Sequence, residues 1–145
     1  MSGIVLCALD VSQPDHEAAV LRRAAQIADL DNARLDVMTV IPDYGTSMVG
    51  SYFNADFHDK VVEDASRALS DLVIATLGRE ANEGVRHIVT TGTVYEQVLH
   101  AAKTDGADVI VIGSHRPALR DYLLGPNASR VVRHSECSVF VVRED

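Results

Sequence analysis

The stretch "VIVIGSHRPALRDYLLGPNASRVVRHSECSVFVV", residues 109–142, contains two short apolar runs separated by a loop and a helical pattern. The runs, 109–112 and 139–142, are rich in β-branched residues, which is typical of parallel strands covered on both faces. The loop is long, because Gly113 and Gly125 stand twelve positions apart and strand-to-helix loops usually span about 2–6 residues. We therefore expect two parallel strands with a functional loop at the exit of the first.

The rest of the chain repeats this alternation of apolar strands and amphipathic helices. Three more strands are predicted, the last of them more polar, at 4–9, 35–41 and 86–91. The predicted helices cover residues 15–30, 61–77, 94–102 and 129–134. This order predicts one α/β domain, residues 1–145, built on a doubly wound five-stranded parallel sheet with strand order 3-2-1-4-5.

The predicted strand order reverses between strands 1 and 4, and open α/β sheets bind ligands outside the carboxyl ends of their strands at such a switch point. Two segments would meet there: the exit of strand 1, "ALDVSQ" at 8–13, and the loop that follows strand 4. A third segment, 42–56, leaves strand 2 and is either a lid over the same pocket or an ordinary surface connection.

The composition argues against several classes of protein. A formal net charge of −8 without a basic stripe argues against nucleic acid or an anionic membrane as partner. No apolar run reaches the roughly 18–20 residues of a membrane span, and no signal-peptide pattern is present, so we expect a cytoplasmic protein. Cys7 and Cys137 lie in or beside apolar runs without metal-ligand spacing, which predicts buried, reduced thiols. P-loop, GxGxxG and GxSxG motifs are absent.

The loop after strand 4 has the chemistry of an anion site. Gly113 lets a ligand approach the backbone, and "GPNAS" at 125–129 opens a helix whose first N–H groups attract anions. Ser114 and Asn127 add neutral donors, and Arg116 adds positive charge. A phosphate chain between the two glycine turns would explain the length of the loop.

Several residues leave two interpretations open. Pro126 removes one N–H donor from the phosphate end, so an ordinary helix start is the alternative there. Asp10 would accept bonds from ribose hydroxyls or hold a cation, or it would cap the coming helix. Val40 would line a base pocket or fill the core. His115 is not expected to act as a base for Ser114, because neighbouring side chains on a strand point apart.

The segments "IVLCALDVSQ" and "GSHRPALRDYLLGPNASRVVRHSECSVFVV", at 4–13 and 113–142, resemble the universal stress protein family, whose signature is Gly-x2-Gly-x9-Gly-[Ser/Thr] followed by a helix and a final strand. The resemblance covers the whole chain, and "SHRP" and "YLLG" are similar to the small bacterial F/G-type members. It implies the same Rossmann-like sheet, of the adenine nucleotide alpha hydrolase-like kind, with ATP bound at the switch point.

Carried over by position, the resemblance places adenine and ribose against Ala8 and Asp10 and the base against Val40, with phosphates at Gly113 and Gly125. The residues expected to bind the nucleotide are Ala8, Leu9, Asp10, Val40, Gly113, Ser114, His115, Arg116, Gly125, Pro126, Asn127 and Ala128. Mg²⁺ would arrive with the phosphates, because the chain itself supplies few oxygen ligands for a hard cation.

The chain departs from the family pattern at the phosphate end. Arg116 and Pro117 replace the second glycine, the gap to Gly125 is one residue short, and Pro126 replaces Ser or Thr. Two hydrogen bonds lost at about 0.5–1.5 kcal/mol each would weaken triphosphate binding about 5- to 150-fold. Adenosine, AMP or ADP would then compete with ATP.

The resemblance further implies homodimers that pair through 139–142, an apolar edge strand, with tetramers left open. We expect a stress-response sensor or regulator with an unidentified protein partner and at most slow ATP hydrolysis. Two alternatives stand beside this hypothesis: a stress protein that binds no nucleotide and acts through its dimer surface, and an enzyme that uses ATP for adenylation.

Overall fold

The structure is a computed structural model that describes residues 3–42, 55–114 and 124–143. Strands and helices alternate along these residues, as the sequence predicts. The strands are β1 (Ile4–Ala8), β2 (Arg34–Pro42), β3 (Arg86–Gly92), β4 (Val109–Gly113) and β5 (Ser138–Val142). The helices are α1 (Pro14–Asp31), α2 (Ala55–Leu77), α3 (Arg79–Glu83), α4 (Val94–Asp105) and α5 (Pro126–His134).

The strands form one parallel sheet in the order β3-β2-β1-β4-β5, which confirms the predicted topology. The central strand β1 pairs with β2 on one side, Ile4 opposite Arg34, and with β4 on the other, Val5 opposite Val109. The chain therefore winds to one side through β2 and β3 and to the other through β4 and β5. The point of reversal lies between β1 and β4.

Both faces of the sheet are buried, because successive side chains of each strand point to opposite faces. Cys7 and Val37 face the cluster that includes Leu21 of α1 and Leu69 of α2. The other face has its own cluster, whose members on the sheet and on α4 and α5 include Leu6, Met38, Ile110, Val98 and Val131. These side chains are fully buried, and each contributes roughly 1.5–3 kcal/mol of transfer free energy.

The ends of the helices follow from local sequence. Pro14 opens α1, where the missing N–H costs nothing and the ring presets φ. Asn32 ends α1 in the left-handed conformation, φ 54°, and its N–H bonds to the carbonyls of Ala28 and Asp29. Gly106 ends α4 in the same way with φ 73°. After each of these helix ends the chain returns to the sheet, from α1 into β2 and from α4 into β4.

Two helices begin several residues earlier than predicted, α4 ends at Asp105 instead of residue 102, and one short helix was not predicted. Helix α2 begins at Ala55 instead of residue 61, and its first turns carry no apolar stripe that would reveal them. Helix α5 begins at Pro126 instead of residue 129, and the short helix α3 was not expected from the pattern. Of the predicted lid segment 42–56, residues 43–54 lie outside the described residues.

The edges of the sheet are different in character. At the β5 edge Phe140 remains 42% exposed, and the guanidinium of Arg23 lies 5.8 Å from its ring centre. At the amino ends of β2 and β3, the arginines Arg34 and Arg86 bind the carboxylate of Asp105 at the end of α4. Within the described segments, no helix combines the length and apolar character that crossing a bilayer requires.

Candidate functional site

A cavity of about 370 Å³ opens where β1 and β4 part, at the carboxyl ends of the strands. This volume falls in the range of roughly 300–1,000 Å³ that is usual for small-molecule sites. The structure brings together the predicted residues Ala8, Leu9, Asp10, Val40, Gly113, Gly125, Pro126, Asn127 and Ala128 around it. The cavity therefore lies at the switch point, where the topology places it.

The middle of the cavity has apolar walls. Val40 at the end of β2, Val94 and Val98 of α4 and Ile112 of β4 contribute to them. Val40 is half-buried and packs against the core cluster while it also lines the cavity, so its role in the core is confirmed and its role in a base pocket stays a prediction. Such walls can hold a flat aromatic ring by dispersion and exclusion of water.

Asp10 stands at the exit of β1 and closes a tight turn. Its Oδ1 accepts hydrogen bonds from the backbone N–H of Ser12 at 3.0 Å and from the Ser12 hydroxyl at 2.6 Å. Helix α1 begins after Gln13 without a side-chain cap, so Asp10 does not cap it. Its carboxylate is exposed to the cavity, and Oδ2 makes no hydrogen bond to the described residues. That oxygen can accept bonds from a ligand hydroxyl.

Glu17 also lines the cavity, although it is not among the residues predicted from the sequence. It lies in the first turn of α1, only 8% exposed, and its Oε1 accepts the backbone N–H of Asp10 at 2.6 Å. A sequence signal existed: position 17 shares a helix face with Val20, Leu21 and Ala24, all buried. A carboxylate on the buried face of an amphipathic helix is uncommon and points to a site.

The entrance of α5 forms the opposite end of the cavity. The Gly125 N–H donates to the Ser114 carbonyl at 3.3 Å, and Pro126 has no N–H. Ser129 donates to the Gly125 carbonyl at 2.9 Å and starts the helix ladder. The N–H groups of Asn127 and Ala128 have no partner among the described residues, so this nine-residue helix offers two donors to an anion.

The remaining predicted residues do not reach the cavity or lie outside the description. Ser114 is buried, and its N–H donates to the Val142 carbonyl at 2.9 Å, which extends the pairing of β4 with β5. Ser114 is not part of the cavity wall. His115 and Arg116 lie outside the described residues.

The two ends of the cavity differ in charge. Asp10 and Glu17 make the β1 end acidic, whereas the N-terminus of α5 carries the positive end of the helix dipole. Beneath the acidic end, burial raises the pKa of the Cys7 thiol well above its ordinary value, and the charge of Glu17 raises it further. No group of three or more His, Cys, Asp or Glu side chains within the described ranges is arranged to hold a metal ion.

Comparison with known proteins adds a family. The family model described as "Universal stress protein family" matches residues 1–143. Universal stress protein G of Shigella flexneri is 30% identical over 146 residues, covering 99% of this chain and all of that protein. The solved structure of UspA from Lactobacillus plantarum has a TM-score of 0.73 at 23% identity, with 97% of each chain covered. A crystal structure of a universal stress protein in complex with cAMP has a TM-score of 0.61 at 23% identity, covering 97% of this chain and 96% of that one.

Proposed function

Because the chain belongs to the universal stress protein family, we propose that it binds an adenine nucleotide in the cavity between β1 and β4. One observation carries this proposal: the cavity has a carboxylate at one end, apolar walls in the middle and, at the other end, two N–H groups that bond to none of the described residues. A nucleotide has hydroxyls, an aromatic base and phosphates, which match these three environments in kind.

Each part of the ligand has a partner in this proposal. The Asp10 carboxylate accepts the ribose hydroxyls, and Val40 with its apolar neighbours holds the adenine. The N–H groups of Asn127 and Ala128 take phosphate oxygens, helped by the dipole of α5. The solved relative in complex with cAMP supports a ligand of the adenine nucleotide class.

The phosphate end also bears on which nucleotide binds. With the Gly125 N–H bonded to Ser114 and no N–H on Pro126, the start of α5 leaves two backbone N–H donors, those of Asn127 and Ala128, without a partner among the described residues. We expect ATP to bind, with ADP and AMP as close competitors. Mg²⁺ would be held by phosphate oxygens. The described cavity wall offers two carboxylates, and one of them, Glu17, is already bonded to the Asp10 N–H, so few protein oxygens remain for a cation.

The proposed role is regulation and not rapid turnover. We infer a cytoplasmic stress-response sensor whose homodimer, paired through β5, selects a protein partner according to the bound nucleotide. The apolar edge strand β5 with its exposed Phe140 supports the pairing. The described phosphate end holds backbone N–H donors, which suit the binding of an anion.

A second candidate is a stress protein that binds no nucleotide. The observation that favours it is the engaged N–H of Gly125 beside Pro126, which leaves the phosphate end poorer in donors than a glycine-rich loop would be. Purification without added ligand separates the two. The protein is denatured and its supernatant is run on a nucleotide-calibrated column; stoichiometric ATP, ADP or AMP supports the proposal, and an empty protein that also fails to bind Mg-ATP in calorimetry contradicts it.

Asp10→Ala tests the ribose contact directly. Removing a charged acceptor costs about 1.5–3 kcal/mol, so affinity for ATP should fall about 10- to 150-fold. The matched control is Asp71→Ala, which removes an exposed carboxylate from α2, away from the cavity. Both are measured by isothermal titration calorimetry, and equal affinities for the two variants would remove Asp10 from the site.

A further inference from the structure

We propose that Glu17 is a positioning residue of the nucleotide site: its buried carboxylate holds the backbone of Asp10 so that the Asp10 side chain is presented to the ribose. This inference rests on the proposed function and adds a residue that the sequence pattern did not reveal. It stands on three observations, namely the direction of the Asp10 N–H, the bonds within the turn and the burial of Glu17.

The first observation is the direction of the backbone at the end of β1. In a parallel sheet successive residues of a central strand bond alternately to the two neighbouring strands. The Leu9 N–H bonds to the Met38 carbonyl of β2 at 2.9 Å, so the next N–H, of Asp10, points to the β4 side. The strands part there to form the cavity, and Glu17 Oε1 takes the N–H at 2.6 Å. Glu17 replaces the strand partner that the opening of the sheet removes.

The second observation is that the other bonds of the turn are internal to it. Asp10 Oδ1 binds Ser12, and the Asp10 carbonyl accepts the Gln13 N–H at 3.1 Å. These bonds shape the turn but do not fasten it to the body of the protein. The Glu17 carboxylate belongs to α1, whose neighbouring residues Val20 and Leu21 are buried in the core. It therefore links the turn to a rigid element.

The third observation is the cost of the arrangement. Burying a carboxylate is unfavourable even when it is hydrogen-bonded, and the other buried residues of α1 are Val20, Leu21, Ala24 and Ala28. The hydrogen bond from the Asp10 N–H offsets part of this cost, so the carboxylate at position 17 serves the turn at Asp10.

The test uses a pair of variants of similar size. Glu17→Gln keeps an oxygen acceptor for the Asp10 N–H, whereas Glu17→Leu removes the acceptor. Hydrogen exchange of the Asp10 amide, followed by NMR, should be slow in the wild type and the Gln variant and faster in the Leu variant. Urea unfolding checks the fold, and Glu17→Met, equally without an oxygen acceptor, serves if Leu disturbs the packing.

Nucleotide affinity gives the functional readout. Loss of one hydrogen bond of about 1 kcal/mol predicts ATP binding about fivefold weaker in Glu17→Leu and within about twofold of wild type in Glu17→Gln. With 2′,3′-dideoxy-ATP the difference should vanish, because that ligand has no ribose hydroxyl for Asp10. Adding Glu17→Leu to Asp10→Ala should likewise cause no further loss, which a merely structural role would not predict.

The outcomes separate this inference from the proposed function. Wild-type protein that binds no nucleotide overturns the proposed function and this inference with it. Wild-type binding together with unchanged ATP affinity in Glu17→Leu, or with equal losses for ATP and the dideoxy analogue, overturns the inference alone. A slow Asp10 amide in the Leu variant would also overturn it, whatever the nucleotide does.

Discussion

At the scale of single residues, Pro126 affects how many hydrogen-bond donors the cavity offers to the proposed phosphates. It occupies the first position of α5, where proline suits the helix but supplies no N–H and no hydroxyl. Pro14 occupies the same position in α1, outside the cavity wall. The two prolines are alike for folding, and only one of them faces the proposed ligand. Replacing each proline in turn therefore separates an effect on ligand binding from an effect on the start of the helix.

Pro126→Ser should tighten ATP binding relative to ADP. The serine restores a backbone N–H and a hydroxyl, each worth about 0.5–1.5 kcal/mol as a hydrogen-bond donor. If both reach the triphosphate, the affinity for ATP should rise about 5- to 150-fold. Pro14→Ser is the control and should leave both affinities unchanged. Calorimetry with ATP and ADP measures the ratio; a constant ratio in Pro126→Ser would mean that the phosphates bind elsewhere.

The two thiols should differ in reactivity. Cys7 is fully buried on β1, and burial together with the nearby charge of Glu17 raises its pKa well above the ordinary value of 9.0. Cys137 is free and half-buried, which corrects the expectation that both thiols are buried. At pH 8 an aromatic disulfide reagent should modify Cys137 in the native protein and Cys7 only after denaturation. Rapid native labelling of Cys7, detected by mass spectrometry, would contradict its assigned burial.

At the scale of elements, a charged group ties β2, β3 and α4 together at the edge of the sheet opposite the cavity. Arg34 binds Asp36 at 2.9 Å and Asp105 at 3.0 Å, and Arg86 binds Asp105 at 2.6 Å. The side chains of Asp36 and Asp105 are 0% and 7% exposed, and Oδ2 of Asp105 has no hydrogen-bond partner among the described residues. Both carboxylates bind Arg34, and two buried carboxylates that share one partner disfavour ionisation of both.

The pKa of Asp105 is accordingly raised, first because its protonated form can donate a hydrogen bond to Asp36 and then by burial, while the two arginines oppose the rise. A carboxyl whose pKa is raised by folding stabilises the protein fully below its ordinary pKa of 3.8, and this contribution is lost as the pH rises through the raised value. Asp105→Asn resembles the protonated form at every pH, because its amide N–H can donate to Asp36.

We therefore expect Asp105→Asn to have a urea midpoint close to wild type at pH 4 and a higher one at pH 7. The matched control is Asp71→Asn on the exposed face of α2, which should follow the wild type at both values. Urea unfolding followed by circular dichroism measures the difference. A variant less stable than wild type at pH 7 would show that the ionised carboxylate is the form that Arg34 and Arg86 require.

Much of the element pattern could be predicted from the sequence, and the misses have physical reasons. The apolar runs of β1 and β4 are unmistakable because both faces of those strands are buried. The start of α2 was missed because residues 55–60, "ADFHDK", show no apolar stripe at helical spacing. Glu17 was missed because its role depends on a hydrogen bond to Asp10 that helical periodicity cannot show.

At the scale of the whole molecule, the strand order and the site at its reversal follow from the alternation of strands and helices. Hydrogen bonds between residues far apart in the sequence do not follow from this alternation. Gly125 was expected to bind phosphate, but its N–H is bonded to the Ser114 carbonyl.

The predicted dimer also belongs to the scale of the whole molecule. The outer edge of β5 pairs with no other strand of the described residues and carries the exposed ring of Phe140, which a second chain could cover.

Phe140→Glu should convert the proposed dimer into monomers. Across a twofold axis the new carboxylates would face each other, while in the monomer each could pair with the nearby Arg23. Leu30→Glu is the control, since Leu30 is 85% exposed on α1 and does not belong to β5. Light scattering after size exclusion gives the mass, and a Phe140→Glu variant that keeps the mass of two chains would place the dimer interface elsewhere.

The central claim is that an adenine nucleotide occupies the cavity between β1 and β4, and amide chemical-shift mapping tests ligand and place together. Titration of ¹⁵N-labelled protein with Mg-ATP should shift the amides of residues 8–13 and those of Asn127 and Ala128. A second cavity, between α4 and the end of α5, is lined by His100, Lys103 and His134. Shifts confined to that cavity, or no shifts at millimolar nucleotide, would contradict the account.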